Sequence, residues 1–320
     1  MSGHRIFVVC PGGVVTGGPE LLHQLVHELD DVGLDAFISY YPFDRKFNTP
    51  EAYEKYRIKQ ATPSNSPGDV LVLPESATKL AGLFTNMSVS IWWLSVYNYY
   101  NIPKQSGWRA IVPPAIASYI SRAPIKAMKG FAHYVQSEYA RRHLNEYGIS
   151  SRMLGDYINP PDGNGSAPSR ADIIAFNPRK GMDFSKTLIR AMPNVGFIPI
   201  ENMSPREVQS LLSKVKLYMD FGHHPGKDRM PREAALAGAC IVTGREGSAA
   251  NSIDIPIPER FKIDATAGGF VSDFELLTKE IFEDFDRVSH EFDYYRSKIA
   301  QEHSEFRSQC RDIFFSVCAR

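Results

Sequence analysis

The first half of the chain alternates short apolar runs with polar stretches that contain glycine or proline. The continuous apolar run at residues 6–10 is typical of a strand buried on both faces of a parallel sheet, and residues 69–73 and 89–94 predict two more strands. Further strands are predicted at residues 35–41, 110–112, 134–136 and 153–157. Helical spacing of apolar residues appears between them, at residues 21–29 and 138–147. This alternation predicts a Rossmann-like domain with a parallel sheet.

A loop with several glycines, PGGVVTGGPE at residues 11–20, follows the first predicted strand. Gly18 is placed to cap the next helix and Pro19 to open it. The loop does not match the G-x-G-x-x-G fingerprint of dinucleotide-binding proteins. Two interpretations carry equal weight: a tight turn, or a backbone at Gly17 and Gly18 that approaches a phosphate or a sugar.

The alternation of strands and helices resumes after residues 158–170, which have no periodicity and are typical of a linker. Ser204 and Glu207 form a capping-box pattern at the start of one helix. From residue 272 to the end, the chain is predicted to form two or three helices. Strands are predicted at residues 172–176, 195–200, 215–221, 240–242 and 260–264, with helices at 184–192 and 208–212 and a short helix from Ser248.

The chain of 320 residues is therefore predicted to be an α/β protein with two Rossmann-like domains. We assign residues 1–158 to the first domain, 159–170 to a linker and 171–302 to the second domain. Residues 303–320 are predicted to be helical.

Residues 216–244 are predicted to form a strand, a polar loop, a short helix and a second strand. Pro231 suits the first turn of the helix, and Gly238 suits the position just after its end. Such a unit places a loop and a helix N-terminus at the carboxyl edge of a parallel sheet, where α/β folds bind anions. We therefore predict a ligand site in this loop, which contains His223, His224, Lys227, Asp228 and Arg229.

Charge and composition limit the partners of the chain. Lysine and arginine number 36, as do aspartate and glutamate, so no overall field attracts the chain to nucleic acid or to anionic lipid. An anionic ligand must therefore be met by a local cluster of cations. The 4 cysteines lack metal-ligand spacing, and the sequence shows neither a signal pattern nor an apolar run that could span a membrane. We expect a cytoplasmic protein and leave a peripheral membrane contact open.

Two Rossmann-like halves, a joint and a helical tail resemble the GT-B architecture of glycosyltransferases. Three stretches are similar to family 4-like glycosyltransferases: the glycine-rich loop at residues 12–18, NPRKG at 177–181 and PREAALAG at 231–238. The resemblance implies two domains that face a cleft, with C-terminal helices crossing back to the first domain. It further implies that the first domain binds a saccharide or lipid-linked acceptor and the second binds a nucleotide-sugar donor, with no other cofactor.

The predicted donor chemistry needs cations, because negative charge grows on the leaving phosphate oxygen. Lys180 and Arg229 are assigned to stabilise that charge, with Arg179 and Lys227 as further phosphate contacts; for each of them, a solvated surface charge is the alternative. Glu233 would accept hydrogen bonds from ribose hydroxyls, the role implied by the matching glutamate of the family. His223, His224 and Ser248 complete the predicted donor contacts, and the two histidines fit packing or a surface position equally well.

The sequence departs from the family at Pro225, where family 4 enzymes usually carry a glutamate. No Asp-x-Asp pattern typical of metal-dependent GT-A enzymes stands out in the chain, so no catalytic metal is expected. In the first domain, Glu75 follows a predicted strand and is the candidate general base, with Glu20 as an alternative. Retaining and inverting mechanisms both stay open.

Two other functions stay open beside transfer to a glycan, which we expect in bacterial-type surface polysaccharide synthesis. A nucleotide-sugar 2-epimerase on the same scaffold would need carboxylates in the first domain, and Glu75 with Glu138 could serve. A non-catalytic partner of a glycosyltransferase would keep the nucleotide pocket for assembly or regulation, and Pro225 motivates that alternative.

Overall fold

A computed structural model describes residues 4–100, 122–159 and 169–318 of the chain. The chain divides into two compact units. The first unit comprises Met1–Asp156 together with His303–Arg320, and the second comprises Tyr157–Glu302. The strand predicted at residues 110–112 and most of the predicted linker lie outside the described residues.

The described part of the first unit contains a sheet of six strands, every neighbouring pair of which is parallel. Their order across the sheet is β2-β1-β3-β4-β5-β6. The edge strand predicted at residues 153–157 is shorter than expected. The strands are β1 (Ile6–Pro11), β2 (Ala36–Tyr41), β3 (Val70–Pro74), β4 (Ser88–Trp93), β5 (Ala132–Val135) and β6 (Arg152–Met153).

In the described part of this unit, helices and 3₁₀ turns lie between consecutive strands. They are α1 (Gly17–Asp31), α2 (Val96–Tyr100) and α3 (Glu138–Glu146), with 3₁₀ turns at Glu51–Tyr56, Glu75–Leu83 and Ile125–Met128. The prediction that Gly18 caps α1 is wrong, because Thr16 is the N-cap and both Gly17 and Gly18 lie in the first turn. A residue distant in sequence, Tyr53, holds the backbone of Thr16 in place. Its N–H donates to the Tyr53 hydroxyl at 2.9 Å, and that hydroxyl donates to the Thr16 carbonyl at 2.8 Å.

The described part of the second unit contains a sheet of four parallel strands in the order β10-β9-β7-β8. The strand predicted at residues 260–264 is wrong: the chain makes a 3₁₀ turn at Glu259–Phe261 and pairs with β10 only through a single bridge at Lys262. The strands are β7 (Ala171–Phe176), β8 (Gly196–Pro199), β9 (Val215–Asp220) and β10 (Cys240–Thr243).

The helices of the second unit cover its sheet and extend into the tail. Ser204 and Glu207 form the predicted capping box, and Gly238 follows the third of these helices with a positive φ of 88°. The predicted short helix at Ser248 is a 3₁₀ turn, Ser248–Ala250. The α-helices are α4 (Met182–Ala191), α5 (Pro205–Lys214), α6 (Arg229–Leu236), α7 (Phe270–Glu283), α8 (Phe285–His290) and α9 (Asp293–Cys318).

Helix α9 begins in the second unit, and its part from residue 303 onward belongs to the first. Nε2 of His303 lies 2.5 Å from Oε1 of Glu28 on α1, and Arg307 pairs with the same carboxylate at 3.4 Å. Phe306 is buried and stacks on Trp92 with 6.2 Å between ring centroids. The predicted return of the C-terminal helix to the first domain is confirmed. Among the described helices, none is both long and apolar enough to cross a membrane.

Candidate functional site

Three loops at the carboxyl edge of the second sheet lie in direct backbone contact. They follow β7 at residues 177–181, β9 at 221–228 and β10 at 244–248. Gly181 has a φ of +59°, and a Cβ on it would lie 2.6 Å from the carbonyl carbon of Phe221. A Cβ on Gly222 would overlap that of Lys180, and one on Gly247 would overlap the carbonyl of His224. Glycine at these positions therefore lets the loops meet.

A chain of polar side chains runs through these loops from the core towards the surface. The Tyr218 hydroxyl donates to Oδ2 of Asp220 at 3.0 Å, and the N–H of Gly222 donates to Oδ1 at 3.0 Å. Nε2 of His224 lies 3.7 Å from that Oδ1. Nδ1 of the same ring lies 2.9 Å from Oδ2 of Asp228, at ion-pair distance but outside hydrogen-bond alignment. The ammonium of Lys180 also pairs with Oδ2 of Asp228.

Burial and the neighbouring charges act in opposite directions on the protonation of His224 and Asp228, and the charges prevail. Burial by itself lowers the pKa of His224, but Asp228 and Asp220 outweigh it and raise the pKa above the usual 6.5. Burial by itself raises the pKa of Asp228, and there His224 and Lys180 prevail, so the net shift is downward. The pKa of Tyr218 is raised well above 10 by burial and by the charge of Asp220. These shifts favour an imidazolium at His224 beside an ionised Asp228.

The other predicted donor contacts lie on the rim of the same edge. Arg229 donates through Nε and Nη2 to Oε1 of Glu233, at 3.2 and 3.1 Å, one helical turn along α6. Arg179 is exposed, and its backbone N–H donates to Oδ1 of Asn177 at 3.0 Å. His223 is half-buried with Nδ1 3.8 Å from Glu246; burial lowers its pKa, and the charges of His224 and Lys180 lower it further.

Lys227 and Ser248 face away from the rim. The ammonium of Lys227 lies 2.7 Å from Oε1 of Glu302 on α9. Ser248 is buried, and its hydroxyl donates to the carbonyl of Gly226 at 2.6 Å while its N–H donates to the carbonyl of His224 at 2.9 Å. Ser248 thus supports the loop after β9 from behind.

Glu75 lies in the first unit, where β3 ends. Its Oε2 accepts the N–H of Leu94 at 2.9 Å, and the side chain is fully buried. Burial raises the pKa of Glu75 to about 7, although backbone N–H groups and the charge of Arg122 oppose the shift. Gly18 lies on the same edge, since a Cβ on it would lie 4.0 Å from the side chain of Leu94. The structure thus brings Gly17, Gly18 and Glu75 to one edge of the first sheet.

The sequence interpretation assigned no role to three residues of the polar network in the second unit, although it named one of them, Asp228, among the loop residues. Asp220 ends β9, and Asp228 precedes α6, so the buried ring of His224 has a carboxylate four residues away on either side. The spacing Asp-x₃-His-x₃-Asp was the available signal. Arg232, the third, is fully buried and donates to the carbonyls of Asp228 and Lys227 at 3.2 and 3.0 Å. An arginine inside a helix gave no sign of this role.

A metal ion is a weaker explanation of the cluster than a charge network. Among the described residues, Asp220, His224 and Asp228 bring potential ligand atoms within 4.8 Å of one another. The ring directs Nε2 towards Asp220 and Nδ1 towards Asp228, however, and a single ion can bind only one nitrogen of an imidazole ring. The ammonium of Lys180 already pairs with Asp228. These side chains therefore fit a self-neutralised network better than a metal centre.

Comparison with protein-family models and with curated protein sequences finds no match. Solved structures do match over nearly the whole chain. A glycosyltransferase from Rickettsia africae is 13% identical with a TM-score of 0.63, covering 99% of this chain and 98% of that one. HepE of Anabaena, in complex with UDP-glucose, is 12% identical with a TM-score of 0.61 and coverage of 98% and 99%. The catalytic domain of starch synthase IV from Arabidopsis thaliana, bound to ADP and acarbose, is 11% identical with a TM-score of 0.63 and coverage of 100% of both chains.

These structures are similar to the chain in fold. In this chain, the fold comprises two parallel sheets and a long C-terminal helix that contacts α1. The chain therefore has the GT-B fold of glycosyltransferases, and it is structurally similar to the family 4 type.

Proposed function

We propose that the chain is a glycosyltransferase that moves a sugar from a nucleotide-sugar donor to a saccharide or lipid-linked glycan acceptor in bacterial-type surface polysaccharide synthesis. The observation that carries the proposal is the placement of Lys180, which a buried network holds at the carboxyl edge of the second sheet beside the start of α6. The bound ligands of two similar structures, UDP-glucose in HepE and ADP in starch synthase IV, support a nucleotide-sugar donor.

The second unit would bind the donor. Sugar transfer releases a nucleoside phosphate or diphosphate, and cations fixed before the reaction stabilise the charge that develops on it. Lys180 and Arg229 would meet this charge, because Lys180 is tied to Asp228 and Arg229 is the next residue along the chain. The positive end of the α6 dipole lies at the same point. Glu233, which accepts from Arg229 in the free protein, would accept from ribose hydroxyls once the donor binds.

The first unit would bind the acceptor and supply the general base. A carboxyl with a pKa of about 7 is half ionised near neutral pH, which suits a group that takes a proton from an attacking hydroxyl. Glu75 has this property and lies on the edge that carries the glycine-rich loop. Such a base supports an inverting displacement, in which the acceptor hydroxyl attacks the donor carbon directly.

The 2-epimerase alternative gains no specific support from the first unit. Its second candidate carboxylate, Glu138, is paired with Arg141 at 2.6 Å and Arg142 at 2.9 Å. These hydrogen bonds hold the pKa of Glu138 below its usual range. The carboxylate of Glu138 is therefore already paired with two arginines of its own helix, α3.

A panel of UDP, GDP, CDP, ADP and CMP sugars tests the proposal. Binding to the folded state must raise the melting temperature in proportion to RT ln(1 + [L]/Kd). We expect one class of nucleotide sugar to raise it and to be slowly hydrolysed with release of the free nucleotide. Inversion at C2 of the sugar would instead establish the epimerase, and binding without either reaction would indicate a non-catalytic partner.

A further inference from the structure

We propose that His224 is a positioning residue whose imidazolium form neutralises Asp228 and thereby leaves the ammonium of Lys180 available to an anionic ligand. Ligand affinity is then coupled to the proton on His224. This inference rests on the proposed function in taking the anion to be the diphosphate of a nucleotide sugar.

The geometry makes Lys180 and His224 share one carboxylate oxygen. Oδ2 of Asp228 lies 2.9 Å from Nδ1 of His224 and also pairs with the ammonium of Lys180. The two cations differ in exposure: the His224 side chain is fully buried, whereas 29% of the Lys180 side chain is exposed. Of the two, only Lys180 can turn towards a ligand at the surface. The charge on the buried ring of His224 therefore controls how strongly Asp228 attracts the ammonium of Lys180.

Asp220 keeps the ring of His224 in place. Its two oxygens accept from the Tyr218 hydroxyl and from the Gly222 N–H, so the carboxylate that faces Nε2 is fixed. The backbone of His224 is held separately, because its carbonyl accepts the N–H of Ser248 at 2.9 Å. Substitution of the ring thus leaves the loop contact intact and removes the charge.

The charge balance of the cluster depends on the proton of His224. When the ring is protonated, two carboxylates face two cations and the cluster is neutral. When the ring is neutral, Lys180 is the one cation left against two carboxylates, so the cluster carries one negative charge and an incoming diphosphate is repelled. In a partly buried site such a change is weakly screened by salt.

The groups that act on His224 come from every element around it. Asp220 on β9, Asp228 in its own loop and Lys180 in the loop after β7 face the ring, and the neighbouring His223 interacts with its charge. Burial lowers the pKa, yet the two carboxylates raise it above 6.5 overall. The ring is protonated below its pKa and loses the proton above it. Affinity for the anion should therefore fall as the pH rises through the pKa of His224.

The test uses the full chain, treated with EDTA and labelled in its histidine rings, and follows the ring of His224 by NMR. The probe is dimethyl diphosphate, a pyrophosphate diester whose two negative charges do not titrate near neutral pH. Because coupling between two binding events is reciprocal, bound diester must raise the pKa of His224 if protonation favours the diester. A tenfold coupling corresponds to a shift of about one pH unit.

His224→Gln assigns the signal and should abolish the pH dependence of diester affinity, while His290→Gln, an exposed ring, should leave it unchanged. Asp228→Asn, a second variant that keeps the ring, should lower the pKa of His224 and remove most of its response to the diester. Lys180→Met should remove that response altogether.

Two results would overturn the inference: a bound diester that leaves the pKa of His224 unchanged, or a His224→Gln protein with the wild-type pH profile. Absence of diester binding at any pH would overturn it as well. Nucleotide release from the sugar panel judges the glycosyltransferase function separately, so failure of the proton coupling is distinguishable from failure of that function.

Discussion

Nη1 of Arg232 donates to Oε2 of Glu302 across 2.9 Å, joining two buried side chains of α6 and α9 within the second unit. The same carboxylate pairs through Oε1 with Lys227 at 2.7 Å. Arg232 in turn holds the carbonyls of Lys227 and Asp228, the two residues that precede α6. One glutamate of the long C-terminal helix therefore fixes the loop that carries the network around His224.

Glu302→Ala should destabilise the second unit strongly. Removing one partner of a buried ion pair leaves the other charge uncompensated, which typically costs about 3–5 kcal/mol. We expect a loss of this size in the free energy of unfolding, measured by urea denaturation and circular dichroism, and faster hydrogen exchange in residues 226–236. The matched control is Glu305→Ala, since Glu305 is an exposed glutamate of the same helix. A Glu302→Ala protein as stable as this control would contradict the assigned role.

Gly222→Ala should separate Lys180 from Asp228. The added Cβ would overlap the Cβ of Lys180, so one of the two loops must shift. Forcing an extra methyl group into a tightly packed contact typically costs about 1–3 kcal/mol. We expect a lower melting temperature together with weaker binding of dimethyl diphosphate. Gly268→Ala is the control, because a Cβ there meets no atom within 4 Å. Equal behaviour of the two variants would show that the loops tolerate a side chain at residue 222.

Glu75 should make the stability of the first unit depend on pH. Its pKa is about 7 in the folded protein against 4.5 ordinarily, so the folded state binds the proton more tightly. This stabilisation is complete below pH 4.5 and is lost as the pH rises to about 7, an effect of roughly 3 kcal/mol. Glu75→Gln lacks the titration. Its unfolding free energy relative to wild type should therefore increase by about that amount between about pH 4 and about pH 8.

Urea unfolding followed by tryptophan fluorescence measures this difference, because the 3 tryptophans of the chain all lie in residues 1–156. Glu54→Gln, at an exposed glutamate of the same unit, should show no such trend. A Glu75→Gln protein whose relative stability stays constant over this range would show that the carboxyl titrates normally.

Local signals in the sequence were sufficient for the order of the elements. Continuous apolar runs located the strands of both sheets, because a strand covered on two faces has few polar positions. Ser204 with Glu207, and Gly238 after α6, were predicted correctly because capping depends on residues only a few positions apart. Apolar spacing predicted two or three helices in the tail, and the structure has three, α7, α8 and α9.

Contacts between distant residues limited the prediction elsewhere. Helix α1 begins before Gly18 because Tyr53 hydrogen-bonds to Thr16. Near Lys262, the chain forms a single bridge to β10 in place of the predicted strand. In the candidate site, the sequence identified Lys180 and His224 as site residues, but it gave no role to Asp220 and Asp228, the carboxylates that face them. The pairing of Lys180 with Asp228 joins residues 48 positions apart, and only the sheet brings their loops together.

The central claim, that Lys180 stabilises a departing nucleoside phosphate, is tested most directly by steady-state kinetics of nucleotide release from the best donor of the sugar panel. Lys180→Met is compared with Lys186→Met, an exposed lysine on α4 in the same unit. Loss of a preorganised charge that acts on the transition state typically costs about 10²–10³ in kcat. We predict a loss of this size for Lys180→Met and wild-type turnover for Lys186→Met. Equal turnover of the two variants, or no nucleotide release from any donor by the wild-type protein, would contradict the account.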